Sequence, residues 1–171
     1  MRLFVAVRPP AEVVADADSA LASVRAAHPD LRWVPSERWH LTLAFYGEIP
    51  DDKVEGTAAM VERRLTGKVG CSLAFRGAGF FARRALWLGV DGELTQLRAV
   101  ARAMTFERRP YRPHLTVARL RGRVDPAPAA EALRSYDGPL WHADAVHLVR
   151  SRLGPSPTYE DIASWPLPLP A

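Results

Sequence analysis

The chain opens on an apolar run, Leu3 to Val7, that stops at Arg8 and Pro9-Pro10. This is the pattern of a buried strand closed by residues that cannot continue it. Val14, Ala17, Leu21 and Val24 then recur at spacings of three and four, which predicts a helix ended by Pro29. Leu31 to Val34 reads as a short strand closed by Pro35, and His40 to Tyr46 alternates as a further strand up to Gly47. Asp51 is the expected N-cap of a second helix whose apolar positions are Val54, Ala58, Val61 and Leu65. Val69 to Phe75 and Ala85 to Val90 read as strands separated by a loop or bulged turn over Gly77 to Arg84. Leu94, Leu97, Ala101 and Met104 predict a third helix, and His114 to Leu120 another strand. A short helix around Pro126 to Leu133 follows. The last strands are expected at Trp141 to Arg150 and Tyr159 to Trp165, before a tail made irregular by prolines at 166, 168 and 170.

The order contains an internal echo. Strand, helix, His-Leu-Thr-Leu-Ala and helix in the first half recur as strand, helix, His-Leu-Thr-Val-Ala and helix in the second. The strand-to-histidine intervals are unequal, 37 residues from Leu3 to His40 and 28 from Leu86 to His114. Duplicated units with different loops predict one domain over residues 1–171, built of two pseudo-symmetric lobes. Helices mixed with strands on short turns point to an α+β fold with antiparallel sheets.

Composition adds bounds. A chain of 171 residues, 48% hydrophobic and 25% charged, can bury a core without a disulfide or metal staple. The single cysteine, Cys71, excludes an intramolecular disulfide framework and a cysteine-rich zinc site. No apolar run reaches membrane-span length, and the first ten residues lack a signal-peptide core. A reducing cytoplasm, no membrane partner and a monomer are the expectations. The net charge is +4, and only Lys53 and Lys68 of the 23 basic residues are lysines. An arginine excess fits phosphate recognition as well as a general codon bias, so the positions must decide.

The repeated motif carries the chemistry. In a strand, residues i and i+2 share a face. His40 and Thr42 therefore point one way and Leu41 and Leu43 the other, and likewise His114 and Thr116 against Leu115 and Val117. If the two strands are mates, two imidazoles and two hydroxyls converge on one cleft. Two histidines with ordinary values near 6.5 can hold one proton between them at neutral pH. One accepts a proton from water while the other donates to a leaving oxygen. The hydroxyls can hold an anion between them. This set suits in-line displacement at phosphorus. Neither motif brings a carboxylate or a cysteine, so no metal and no cofactor are expected. The other histidines, His28, His142 and His147, lack such a pattern. Gly77-Ala78-Gly79 is not followed promptly by a helix, which argues against a dinucleotide site.

The two motifs resemble the paired His-x-Thr-x signatures of the 2H phosphoesterase superfamily, and within it the RNA 2′,3′-cyclic phosphodiesterases, also described as 2′-5′ RNA ligases. The resemblance spans nearly the whole chain. It includes Arg2 to Val7, Arg32-Trp33-Val34-Pro35 leading into His40 to Glu48, Leu86 to Val90, Tyr111 to Arg119, Leu148 to Leu153, and Tyr159-Glu160. It implies a bilobal fold with two antiparallel sheets lining a central cleft and helices outside. It implies hydrolysis of RNA 2′,3′-cyclic phosphate ends, or of cyclic nucleotides, to 2′-phosphomonoesters without metal. His40 is implied as proton donor, His114 as proton acceptor, and Thr42 and Thr116 as phosphate contacts. Arg119 matches a phosphate-contacting arginine, and Phe45 an aromatic position near the base. Strand parity sets Arg119 opposite His114, so it must return to the cleft through a twist or bulge. The same parity sets Phe45 on the Leu41 face, where core packing is expected. The stretch Met104 to Arg109 is short for the family, which implies a reduced loop for gripping longer RNA. Arg83-Arg84, Arg108-Arg109 and Arg150 with Arg152 are the candidate rim for RNA backbone. The alternatives are a 2H hydrolase or 2′-5′ ligase acting on another phosphate ester, and an RNA-binding module without turnover.

Overall fold

A computed structural model of the chain describes residues 1–82 and 84–171. In chain order the elements are β1 (Arg2–Val7), α1 (Ala11–Ala27), β2 (Arg32–Trp33), β3 (Leu41–Glu48), α2 (Val54–Leu65), β4 (Cys71–Phe81), β5 (Ala85–Gly92), α3 (Leu94–Met104), β6 (His114–Arg119), α4 (Ala127–Ala132), β7 (Trp141–Ala143), β8 (Ala145–Arg152) and β9 (Thr158–Pro166). They form two antiparallel sheets, one ordered β3-β1-β8-β9 and the other β2-β6-β5-β4-β7. Each His-x-Thr strand pairs with the strand that precedes its helix, β3 with β1 and β6 with β5. This is the α+β arrangement expected from the pattern.

The helices cover the sheets through their apolar stripes. α1 buries Val13, Ala17, Leu21 and Val24, and α3 buries Leu97, Val100, Ala101 and Met104, both at the three-and-four spacing of a helix lying on a core. The main core includes Leu3, Val5, Leu41, Phe75, Leu88, Leu115 and Leu148. A second, small cluster of Phe4, Ala6 and Val149, flanked by Tyr159, lies apart from it on the first sheet. No helix among the described residues is long and apolar enough to cross a membrane.

Three expectations change. Gly77 to Phe81 is strand, not loop: β4 runs through to Phe81, with an irregularity between Phe75 and Ala78 that leaves Arg76 and Gly77 out of the ladder. Gly77 sits at φ 64°, open to glycine at little cost, so the strand bends there and resumes. Arg83, part of the expected loop, lies outside the described residues. Trp141 to Arg150 is two strands in different sheets. β7 pairs with β4, whereas β8 pairs with β1 and β9. Burial changes phase at the break, from Trp141 and Ala143 to Val146 and Leu148. Asp51 caps no helix. α2 begins after Lys53 without a side-chain cap, and Asp51 lies instead near the Met1 amine.

Candidate active site

The two motif strands share one irregularity, and it builds the site. In β3 the register jumps from Val5 opposite Ala44 to Ala6 opposite Thr42, so Leu43 is an extra residue. In β6 it jumps from Leu86 opposite Ala118 to Trp87 opposite Thr116, so Val117 is the extra one. The bulged residues and the alanines after them are all buried, Leu43 with Ala44 and Val117 with Ala118. A bulge reverses the alternation of faces beyond it. The side chain five residues after each histidine therefore returns to the histidine's own side. Arg119 enters the cleft by this route, as the parity argument required. Phe45 does the same, and the core packing expected for it is corrected: it is 51% exposed and lines the cleft.

The cleft has a volume of about 390 Å³. His40, Thr42, His114, Thr116, Arg119 and Phe45 all line it, so the structure brings together every residue singled out for the site. Arg2, Arg32 and Arg38 line it as well, making four arginines among the described residues, and no acidic residue among them does. Of the expected rim pairs, neither Arg108-Arg109 nor Arg150 with Arg152 lines the cleft. Arg108 and Arg109 sit together on another surface, and Arg150 and Arg152 pair with Glu160. Arg84 is not in the lining either. Arg2, Arg32 and Arg38 were not singled out by the sequence because each sits in a different element. No spacing rule links them; only the resemblance runs through Arg2 and Arg32.

The histidines are held alike. His40 Nδ1 donates to the carbonyl oxygen of Arg38 at 2.7 Å, and His114 Nδ1 donates to that of Arg112 at 2.7 Å. A carbonyl only accepts, so each contact keeps a proton on Nδ1 and leaves Nε2 as the nitrogen that can gain or lose one. Aromatic neighbours steady both rings. Phe4 tilts against His40 at 4.7 Å and Tyr159 meets it edge-on at 5.3 Å. Phe81 meets His114 edge-on at 5.0 Å, with Trp87 at 6.4 Å.

Electrostatics separate the two rings. Burial pushes the His40 imidazolium down to about 4, and the charges of Arg8, Arg119 and His114 act in the same direction; the bond to the Arg38 carbonyl opposes them. At neutral pH the free protein thus holds His40 uncharged. An anion in the cleft would oppose the contribution of Arg119, which lines it, and so favour the charged ring.

The remaining histidines do other work. The His28 carbonyl accepts from the Trp33 indole, His147 contacts Asp161, and His142 Nε2 is buried without a partner. Among the described residues no group of three or more His, Cys, Asp or Glu comes together as a metal site.

Comparison with known proteins bears on this arrangement. The family model of the 2′-5′ RNA ligase superfamily matches residues 8–155. The chain is 33% identical over 154 residues to an RNA 2′,3′-cyclic phosphodiesterase of Geobacillus stearothermophilus, covering 81% of this chain but only 48% of that protein. It is 32% identical over 187 residues to the RNA 2′,3′-cyclic phosphodiesterase of Thermus thermophilus, covering 98% of this chain and 90% of that one. Among solved structures, Escherichia coli LigT complexed with phosphate matches with a TM-score of 0.74 and 26% identity, covering 98% of this chain and 97% of that chain.

Proposed function

This chain belongs to the 2′-5′ RNA ligase superfamily, and from that premise we propose that it hydrolyses RNA 2′,3′-cyclic phosphate ends to 2′-phosphomonoesters by metal-independent acid–base catalysis at His40 and His114. What carries this reading is the twin tethering of the two rings. Each has Nδ1 held by the carbonyl two residues earlier, and both line one cleft with two threonine hydroxyls and four arginines. The relatives named RNA 2′,3′-cyclic phosphodiesterase support the substrate class.

His114 Nε2 takes a proton from water, whose oxygen attacks phosphorus. The bond from phosphorus to the 3′ oxygen breaks, and His40 delivers a proton to that oxygen, leaving the phosphate on the 2′ oxygen. Attack and departure lie on opposite sides of phosphorus, as in-line displacement requires. Thr42 and Thr116 donate hydrogen bonds to the non-bridging oxygens, and Arg119 adds a fixed positive charge. His40 carries its proton, taken from solvent, when the 3′ oxygen departs, and the negative charge of the bound substrate favours that charged ring against the burial that disfavours it.

The test is product analysis after incubation with an RNA ending in a 2′,3′-cyclic phosphate. A 2′-phosphate product is expected. Turnover only of another phosphate ester would move the protein to a different hydrolase or ligase of the same fold, and binding without turnover would make it an RNA-binding module. A substrate with a nitrophenyl leaving group assigns the roles. Such a group needs no proton, so His40→Ala should recover much of its lost rate and His114→Ala should not. The reverse recovery would exchange the two roles.

A further inference from the structure

Among the described residues, four guanidinium groups line the cleft and no carboxylate does. A 2′,3′-cyclic phosphate carries one negative charge, which leaves most of that positive charge unmatched. The arrangement of two of these arginines is specific. β2 is only two residues long, and its pairing sets Arg32 directly opposite Arg119 on β6. Directly opposed residues on neighbouring antiparallel strands lie about 5 Å apart at Cβ, and like charges in that position repel. Neither guanidinium has an ion-pair partner among the described residues, and both are exposed toward the cleft.

The surrounding chain holds Arg32 in this position. The Trp33 indole donates to the His28 carbonyl at 2.9 Å, and the Val34 amide donates to the carbonyl of the bulged Val117 at 2.9 Å. The Trp39 indole donates to the Val34 carbonyl at 3.1 Å. Two indoles and one amide thus fix a loop whose visible product is a second cation beside Arg119. Such a pair is stable when an anion lies between or across it.

We infer that Arg32, next to Arg119, binds a second phosphate: the phosphodiester on the 5′ side of the nucleotide whose cyclic phosphate lies between the histidines. Arg32 is then a specificity-determining residue. It selects RNA ends of at least two nucleotides over free cyclic mononucleotides. The inference rests on the RNA-end reading of the cleft, and it adds a place for the chain upstream of the cleaved ring.

The test compares two dinucleotides that both end in a 2′,3′-cyclic phosphate. One has an ordinary phosphodiester between its nucleosides, and the other an uncharged methylphosphonate. Both carry the same bases, so stacking cancels. Charge-assisted bonds of the usual strength predict that the wild-type protein prefers the charged linkage roughly ten- to hundredfold in kcat/KM. In Arg32→Gln that ratio should fall toward one, with Arg32→Lys in between. Each ratio is taken within one protein, so partial misfolding does not imitate the effect. A wild-type ratio near one overturns the inference, as does an unchanged ratio in Arg32→Gln. Equilibrium binding of the same two dinucleotides separates this inference from the catalytic reading. A charge preference in binding without turnover would keep the second phosphate site and remove the hydrolase, whereas turnover without that preference would do the opposite.

Discussion

His40 and His114 share a tether but not an environment. Replacing either by alanine should lower kcat/KM roughly 100- to 10,000-fold, the scale of one positioned acid or base. The double variant should be far less than multiplicatively worse, because the pair acts as a unit. Steady-state kinetics on a cyclic-phosphate end checks both, and near-normal activity in either single variant would remove the mechanism. The burial of His40 has a second consequence. Its ring holds a proton less readily in the folded chain, at about 4, than in the unfolded chain, at the ordinary 6.5. Between those values the unfolded state binds the proton and the folded state does not, so stability rises with pH across that window and levels off above it. Urea midpoints at about pH 4.5 and 7 should differ more in the wild-type protein than in His40→Gln. Ring titration by NMR should also move upward when sulfate, which does not itself titrate here, occupies the cleft. An unchanged value would remove the donor role from His40.

At the scale of elements, the paired bulges decide which side chains face the cleft. Without Leu43 and Val117 as extra residues, strict alternation would turn Phe45 and Arg119 away from the histidines. The wall behind His114 depends on a glycine. Gly79 lies opposite Trp87 across the β4–β5 ladder, and a Cβ there would fall inside contact distance of the Trp87 ring. That ring, with Phe81, backs His114. Gly79→Ala should therefore destabilise the fold by roughly 1–3 kcal/mol, the usual cost of overpacking. It should also lower kcat by shifting His114. Denaturant unfolding and kcat measured on the same variant check this, and a neutral result would mean that the Trp87 ring has another place to go.

At the scale of the molecule, two sheets bring arginines from β1, β2, the loop before β3 and β6 into one cleft whose lining, among the described residues, holds no acidic side chain. Affinity for RNA should fall as salt rises, with log affinity changing by roughly 0.7 per phosphate bound for each tenfold step in salt. A flat dependence would place the arginines outside the binding event. Dialysis against EDTA should leave turnover unchanged, since the proposed cleft stabilises charge with hydroxyls and guanidiniums. Loss restored by one divalent ion would require a metal mechanism instead.

Sequence alone determined the elements that rest on periodicity. The stripes of α1, α2 and α3, the strand Leu3 to Val7 and the two His-x-Thr strands follow from residue spacing, because burial on one face imposes period 2 or 3.6 locally. The repetition of His-Leu-Thr also named four of the residues in the cleft. Tertiary structure alone decided what depends on register. The bulges at Leu43 and Val117, the change of sheet at Asp144 and the extension of β4 past Gly77 leave hydrophobic content almost unaltered, so composition does not mark them. They arise from how neighbouring strands align. The same holds for Arg2, Arg32 and Arg38, which are dispersed surface arginines in the sequence and a concentrated positive field once the sheets assemble. Side-chain identity is a local property, but which charges share a cleft is set by pairing between strands far apart in the chain.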